Sequence, residues 1–178
     1  MAGAQLVFLV GMPAAGKSTV GPALARRLGR RFLDADAEIE REQGRSVAAI
    51  FAEAGEGGFR ALERELVGRL CGEAAVVALG GGAIARPEVR EAVARAGTVV
   101  WLRARPETLL ARIGEGAASR PLLAGLAPAR RLERLRELLA AREAAYATAA
   151  LVVDTDERGV DEVVERIAST LAAREAAA

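Results

Sequence analysis

Residues 5–10 (QLVFLV) run directly into GMPAAGKS, residues 11–18, which fits the pattern G-x-x-x-x-G-K-[ST] at every fixed position. Apolar residues at helical spacing follow over residues 18–28, and Gly29 marks a stop. Strand, glycine-rich loop and helix is the context this pattern requires, and it commits the chain to an α/β fold. The motif also holds Lys17, the only lysine among 25 basic residues. An ammonium on a flexible stem can follow phosphoryl oxygens, whereas an arginine fork is wider and planar. The first inference is a protein that handles nucleotide phosphates. Backbone N–H groups of the loop would cradle the β-phosphate at the helix N-terminus, Lys17 would reach the β- and γ-oxygens, and the Ser18 hydroxyl would ligate Mg²⁺.

Four further short apolar runs read as strands: residues 31–33 ending at Asp34, residues 75–79, residues 98–102, and residues 151–153 ending at Asp154. Helical patterns fill the gaps. They cover residues 35–42, 47–54 with Ser46 as N-cap, 59–70, 87–96 with proline in the first turn, 106–113, 128–147 and 160–173. Such alternation predicts a mostly parallel five-stranded sheet covered by helices on both faces. Right-handed crossovers then bring the loops after the strands to one edge. The site candidates are the residues there: the phosphate loop, Asp34 and Asp36, Gly80-Gly81-Gly82, and Arg103 or Arg105. Residues 114–127 have neither periodicity and read as a mobile flap. The alanine-rich end, residues 172–178, is expected to fray.

Asp34 and Asp36 stand two apart at a strand end, where extended side chains point the same way. One could serve a magnesium shell and the other a substrate hydroxyl; the competing reading is helix N-capping. Three consecutive glycines after a buried strand are entropically costly. They imply either close approach of a ligand to the backbone or a plain tight turn. Most arginines read as solvated faces or i,i+4 partners of glutamate. Arg120 differs, because it sits in the flap beside a proline, where it can close over a transferring phosphoryl group.

Other chemistry is excluded or disfavoured. With no histidine, histidine-based triads and zinc sites are ruled out. One cysteine permits no intramolecular disulfide, and Cys71 reads as a packed core thiol on the buried side of a helix. A net charge of +1 gives no argument for nucleic acid or a membrane surface. No apolar run reaches the ~20 residues of a membrane helix, so a cytoplasmic protein is expected. The guanine signature N-K-x-D is impossible without asparagine and with the sole lysine already used. At 178 residues, a small one-domain ATP-dependent kinase fits best.

Several separated segments together resemble shikimate kinase: GMPAAGKST (residues 11–19), FLDADAEIE (32–40), GRSVAAIFAEAGEGGFRALERE (44–65), LGGGA (79–83), SRPLLAG (119–125) and AREAAYATAA (141–150). They follow the family's order and spacing and cover nearly the whole chain. The resemblance implies a P-loop fold of the nucleoside-monophosphate-kinase type spanning residues 1–178. A mobile lid would lie at about 114–127 and shikimate-binding helices at about 35–70. It implies ATP-dependent phosphorylation of the 3-hydroxyl of shikimate, with Mg²⁺, by a monomer. Gly11, Ala14, Ala15, Gly16, Lys17, Ser18 and Thr19 would hold ATP, with Arg112 and Arg158 flanking adenine and the lid Arg120 on the phosphates. Ser18 and Asp34 would serve the metal. Asp36 would orient or accept the attacking proton. Arg60 and Arg142 would pair with the substrate carboxylate, Glu63 would orient Arg60, and Gly80, Gly81 and Gly82 would line the substrate. One departure stands out: the family's R-x-P-L-Y reads Arg142-Glu143-Ala144-Ala145-Tyr146 here, which questions how the helix end presents Arg142. Two other readings compete. One is the same fold acting on another polyol acid such as gluconate, and the other is a ligand-sensing domain without catalysis.

Overall fold

The computed structural model describes residues 6–114, 123 and 126–177. Its centre is β1 (Leu6–Val10), an apolar run with every residue buried. Around it lie β2 (Arg31–Asp34), β3 (Ala75–Ala78), β4 (Gly97–Arg103) and β5 (Leu151–Asp154), in the order β2-β3-β1-β4-β5. All four pairings are parallel. Strands covered on both faces carry unbroken rather than alternating hydrophobicity, as β1 and β3 do.

The helices are α1 (Lys17–Leu28), α2 (Ala35–Gln43), α3 (Val47–Leu70), α4 (Pro87–Ala96), α5 (Pro106–Ile113), α6 (Pro128–Tyr146) and α7 (Val160–Ala176), with a 3₁₀ turn at Ala83–Ala85. From β1 the chain crosses leftward over β3 to reach β2, and from β3 it crosses rightward over β1 to reach β4. Right-handed crossovers in opposite directions must lie on opposite faces. Accordingly α1 packs with α7 on one face, and α4 packs with α3 and β4 on the other. The loops after β1 and β3 diverge, and a crevice opens between their C-terminal ends.

The structure departs from the sequence reading at Cys71 and at the C-terminal end of the chain. The two helices expected over 47–54 and 59–70 are both present within the α3 range, separated by a kink at Gly55, whose φ of 66° and ψ of −177° are non-helical. Cys71 is exposed, not a core thiol; α3 ends at Leu70, so Val67 and Leu70 take the buried positions and Cys71 falls past them. The C-terminal end does not fray at residue 172. Helix α7 continues to Ala176, held by Arg174 Nη2 donating to Ala150 O and by the Arg30–Glu175 ion pair. Most of the expected flap lies outside the described residues; Leu123 within it is buried against the core.

Candidate active site

The loop after β1 is shaped by left-handed backbone. Gly11 has φ 146°, and a Cβ there would sit 2.5 Å from Leu102 O, so a larger residue would collide with β4. Ala14 (φ 64°) and Gly16 (φ 107°) also have positive φ. Helix α1 then begins with no side-chain cap and no acidic residue in its first turn. By contrast, Asp34 caps α2 and Ser46 caps α3. An uncapped helix start with no acidic side chain suits an anion, at the positive end of the helix dipole. Lys17 Nζ donates to Gly11 O at 2.8 Å and Met12 O at 3.1 Å, which folds the ammonium back over the loop.

A cleft of about 580 Å³ opens at this loop. Residues 13–20 form its floor, Asp34 and Asp36 one side, and Gly80 and Gly81 another. Arg112, Thr155, Arg158, Val160 and Val163 close the far end. Arg112 is held edge-on there: Nη1 donates to Thr155 Oγ1 at 2.9 Å and Nη2 to Thr155 O at 2.5 Å. Bonds in the guanidinium plane leave its face able to stack on a ring. Thr155, which the sequence reading did not single out, is buried and ties Arg103 O to Ala15 O through its hydroxyl. Its one sequence signal is its place directly after β5. Arg103 and Arg105 turn instead to the carboxylates of Asp154, Asp156 and Glu157.

The two aspartates do not share an extended backbone. Asp34 ends β2 and is the N-cap of α2, its Oδ1 accepting from Asp36 N (3.1 Å) and Ala37 N (3.2 Å). Asp36 already lies in the first turn of α2. The capping alternative therefore describes Asp34, and helix entry rather than strand alternation aims Asp36 at the cleft. Both capping bonds fall on Oδ1, leaving Oδ2 outside the cap. Among the described residues no group of three acidic or thiol side chains could hold a metal unaided. The hydroxyl of Ser18 and the carboxylate of Asp34, lining the same cleft, are hard donors that suit Mg²⁺ shared with phosphate oxygens.

Next to this cleft lies a second polar cluster, gathered on the glycine wall. A Cβ at Gly80 would lie 3.1 Å from Asp36 Oδ1, one at Gly81 3.4 Å from Arg142 Nη1, and one at Gly82 2.7 Å from Arg60 Nη2. Side chains from α2, α3 and α6 thus meet on three residues that have none. Arg60 is only 8 % exposed, lies over the rings of Phe51 and Phe59, and donates from Nη1 to Glu63 Oε2 at 2.5 Å. Its Nε also faces Glu56, 3.6 Å away. The buried side-chain polar atoms without a hydrogen-bond partner among the described residues are Asp36 Oδ1, Arg60 Nε and Glu63 Oε1, all in this cluster. Buried polar groups are otherwise satisfied, so a concentration of orphans marks a place for a polar ligand.

Burial sets the protonation here. It pushes the Asp36 carboxyl upward, helped by the charge of Asp34, while Arg60 and Lys17 pull it back. Glu63, fully buried, is pushed from 4.5 up to about 7 by desolvation, against the pull of Arg60. A carboxyl with a raised folded value binds its proton more tightly folded than unfolded. Its contribution to stability is therefore complete below pH 4.5 and is lost as pH rises to about 7. Glu63→Gln, which stays neutral, should flatten that part of the curve. Melting temperatures from pH 4.5 to 8 should fall more steeply for the wild type than for the variant, and parallel curves would contradict this account of Glu63.

A parallel sheet in this order, with a phosphate loop at its central strand and a polar cluster beside it, defines a P-loop kinase that phosphorylates a small molecule. Residues 13–172 match the family model for shikimate kinase. The shikimate kinase of Symbiobacterium thermophilum is 50% identical over 171 residues, spanning 94% of this chain and 97% of that protein. The Acinetobacter baumannii shikimate kinase, solved in complex with shikimate, superposes with a TM-score of 0.84 at 36% identity, over 96% of this chain and 94% of that one. A gluconokinase from Sinorhizobium meliloti, at 19% identity and a TM-score of 0.57, shares the fold alone. The chain belongs to the shikimate kinase family.

Proposed function

We propose that this protein transfers the γ-phosphoryl group of ATP to the 3-hydroxyl of shikimate, giving shikimate 3-phosphate and ADP, a step toward chorismate and the aromatic amino acids. Family membership supports the reaction. The observation in this chain that carries the substrate is the polar cluster on Gly80, Gly81 and Gly82. Shikimate is a small carboxylate rich in hydroxyls. Two arginine forks, Arg60 and Arg142, suit the carboxylate. Asp36, with a buried oxygen lacking a partner, suits a hydroxyl. The glycines let a ring approach the backbone. Glu63 holds the Arg60 fork from behind.

On the nucleotide side, the uncapped start of α1 receives phosphate oxygens, and Lys17 exchanges loop carbonyls for the β- and γ-oxygens. Ser18 and Asp34 would hold Mg²⁺ with the phosphates; the ion would supply charge neutralisation at the transferring group. Adenine rests between the Arg112 and Arg158 sides of the cleft. Arg120 lies outside the described residues, and its place over the phosphates is proposed from the sequence. Phosphoryl transfer asks mainly for positioning and charge stabilisation, which this set of residues provides. Among the described residues no helix is long and apolar enough to cross a membrane. A cytoplasmic monomer is the reading that the family implies.

An ADP-release assay with Mg²⁺ and ATP tests the proposal against its rivals. Turnover is expected with shikimate and not with quinate or gluconate. Absence of turnover with shikimate would overturn it, and turnover with gluconate instead would move the protein to another polyol acid.

A further inference from the structure

We infer that Tyr146 is a positioning residue for substrate recognition, fixing the Gly81–Gly82 peptide and the Arg142 guanidinium against each other. This rests on the shikimate-site reading above and assigns a part of that site to a residue outside the polar cluster. Tyr146 is the only tyrosine of the chain, and it is fully buried. Its hydroxyl donates to Gly81 O at 2.5 Å. Its ring stacks on Trp101, the only tryptophan, with centroids 5.5 Å apart and planes 23° apart. Trp101 lies in β4, paired with Val10 at the base of the phosphate loop. One side chain therefore joins the end of α6, the glycine wall and the strand beside the loop.

Three glycines cannot brace themselves, because they have no side chains to pack and the widest choice of backbone angles. A wall that recognises a small ring must nonetheless hold still. In a trans peptide the N–H of Gly82 points opposite the C=O of Gly81, so the phenol that captures one sets the direction of the other. Arg142 stands four residues before Tyr146, one helical turn back on the same face of α6. Anchoring Tyr146 thus sets the depth at which Arg142 enters the site, where Nη1 lies near Met12 Sδ and the Gly81 backbone. The same anchor explains how the chain manages without the usual Pro-Leu before the tyrosine. Ala144 and Ala145 let α6 run unbroken to Tyr146, and the buried phenol seats the helix end.

The test is Tyr146→Phe, which keeps the ring stack and removes only the hydroxyl. Leaving the part-buried Gly81 carbonyl without its donor should raise the KM for shikimate about tenfold, from the usual scale of such losses. The KM for ATP and kcat should stay within about twofold, because the lost interaction acts on binding of one substrate. An unchanged KM for shikimate overturns the inference, and so does an equal rise for ATP, which would mean general loosening. Arg142→Ala separates the two levels of the argument. If it raises the KM for shikimate while Tyr146→Phe does not, only the positioning role fails. If Arg142→Ala leaves that KM unchanged, the site reading itself fails.

Discussion

Lys17→Arg is expected to lower kcat by about 10³-fold or more, the scale of losing a cation placed on the transferring phosphoryl group, while the fold stays intact. Charge is conserved in this substitution, so the prediction isolates shape. The ammonium fits between the carbonyls of Gly11 and Met12, 2.8 and 3.1 Å away, in a loop whose backbone is committed to left-handed angles. A planar guanidinium is wider and longer, and it binds in its own plane rather than around a point. It cannot take that place without displacing the loop that forms the phosphate cradle. Every other basic position of this chain is arginine, so composition offers no pressure toward lysine at position 17. Steady-state turnover of the variant beside its circular dichroism spectrum decides the matter. Near-wild-type kcat with an unchanged spectrum would show that any cation suffices.

The sheet was legible in the sequence because its strands are short, apolar and punctuated. Gly11 ends β1, Asp34 ends β2, the triple glycine follows β3, and prolines open α4, α5 and α6. Periodicity could not show what a single backbone angle decides. Gly55 is the residue with a non-helical backbone between the two helical patterns, so the break is one sharp kink where the patterns left residues 55–58 unassigned. Cys71 follows an apolar helical pattern, but α3 ends at Leu70 and the residue just past it is exposed rather than packed on the buried side. The pair Asp34 and Asp36 shows the same limit: spacing of two means one face in a strand and different faces once a helix starts between them. In the candidate site, motif residues could be named from their pattern. Tyr146 and Thr155 act through a hydroxyl on a distant carbonyl, and no local pattern encodes such a partner.

Asp36→Asn is expected to reduce kcat by about 10²- to 10⁴-fold, the range for losing a group that takes or orients a proton. The same change should leave the protein at least as stable as before. The two effects have one cause. Oδ1 of Asp36 is buried without a partner, and burial together with Asp34 raises its carboxyl above the ordinary value. A raised folded value means that ionisation opposes folding, so stability contributed by this group is lost as pH rises through its titration. An amide never ionises and escapes that penalty. Activity runs the opposite way, since only the ionised carboxylate can accept the proton of an attacking hydroxyl. The wild-type profile of kcat/KM should therefore fall on the acid side, with its midpoint above that of an ordinary aspartate, and the variant should lose this limb. A variant that is inactive and also melts well below the wild type would point to a structural role for Asp36. One that keeps near-full kcat would remove it from the chemistry. A carboxylate held where it weakens the fold is the kind of residue that selection for stability alone would have replaced. Its position against Gly80, facing the charges of Arg60 and Lys17, is where a hydroxyl awaiting a phosphoryl group would need it.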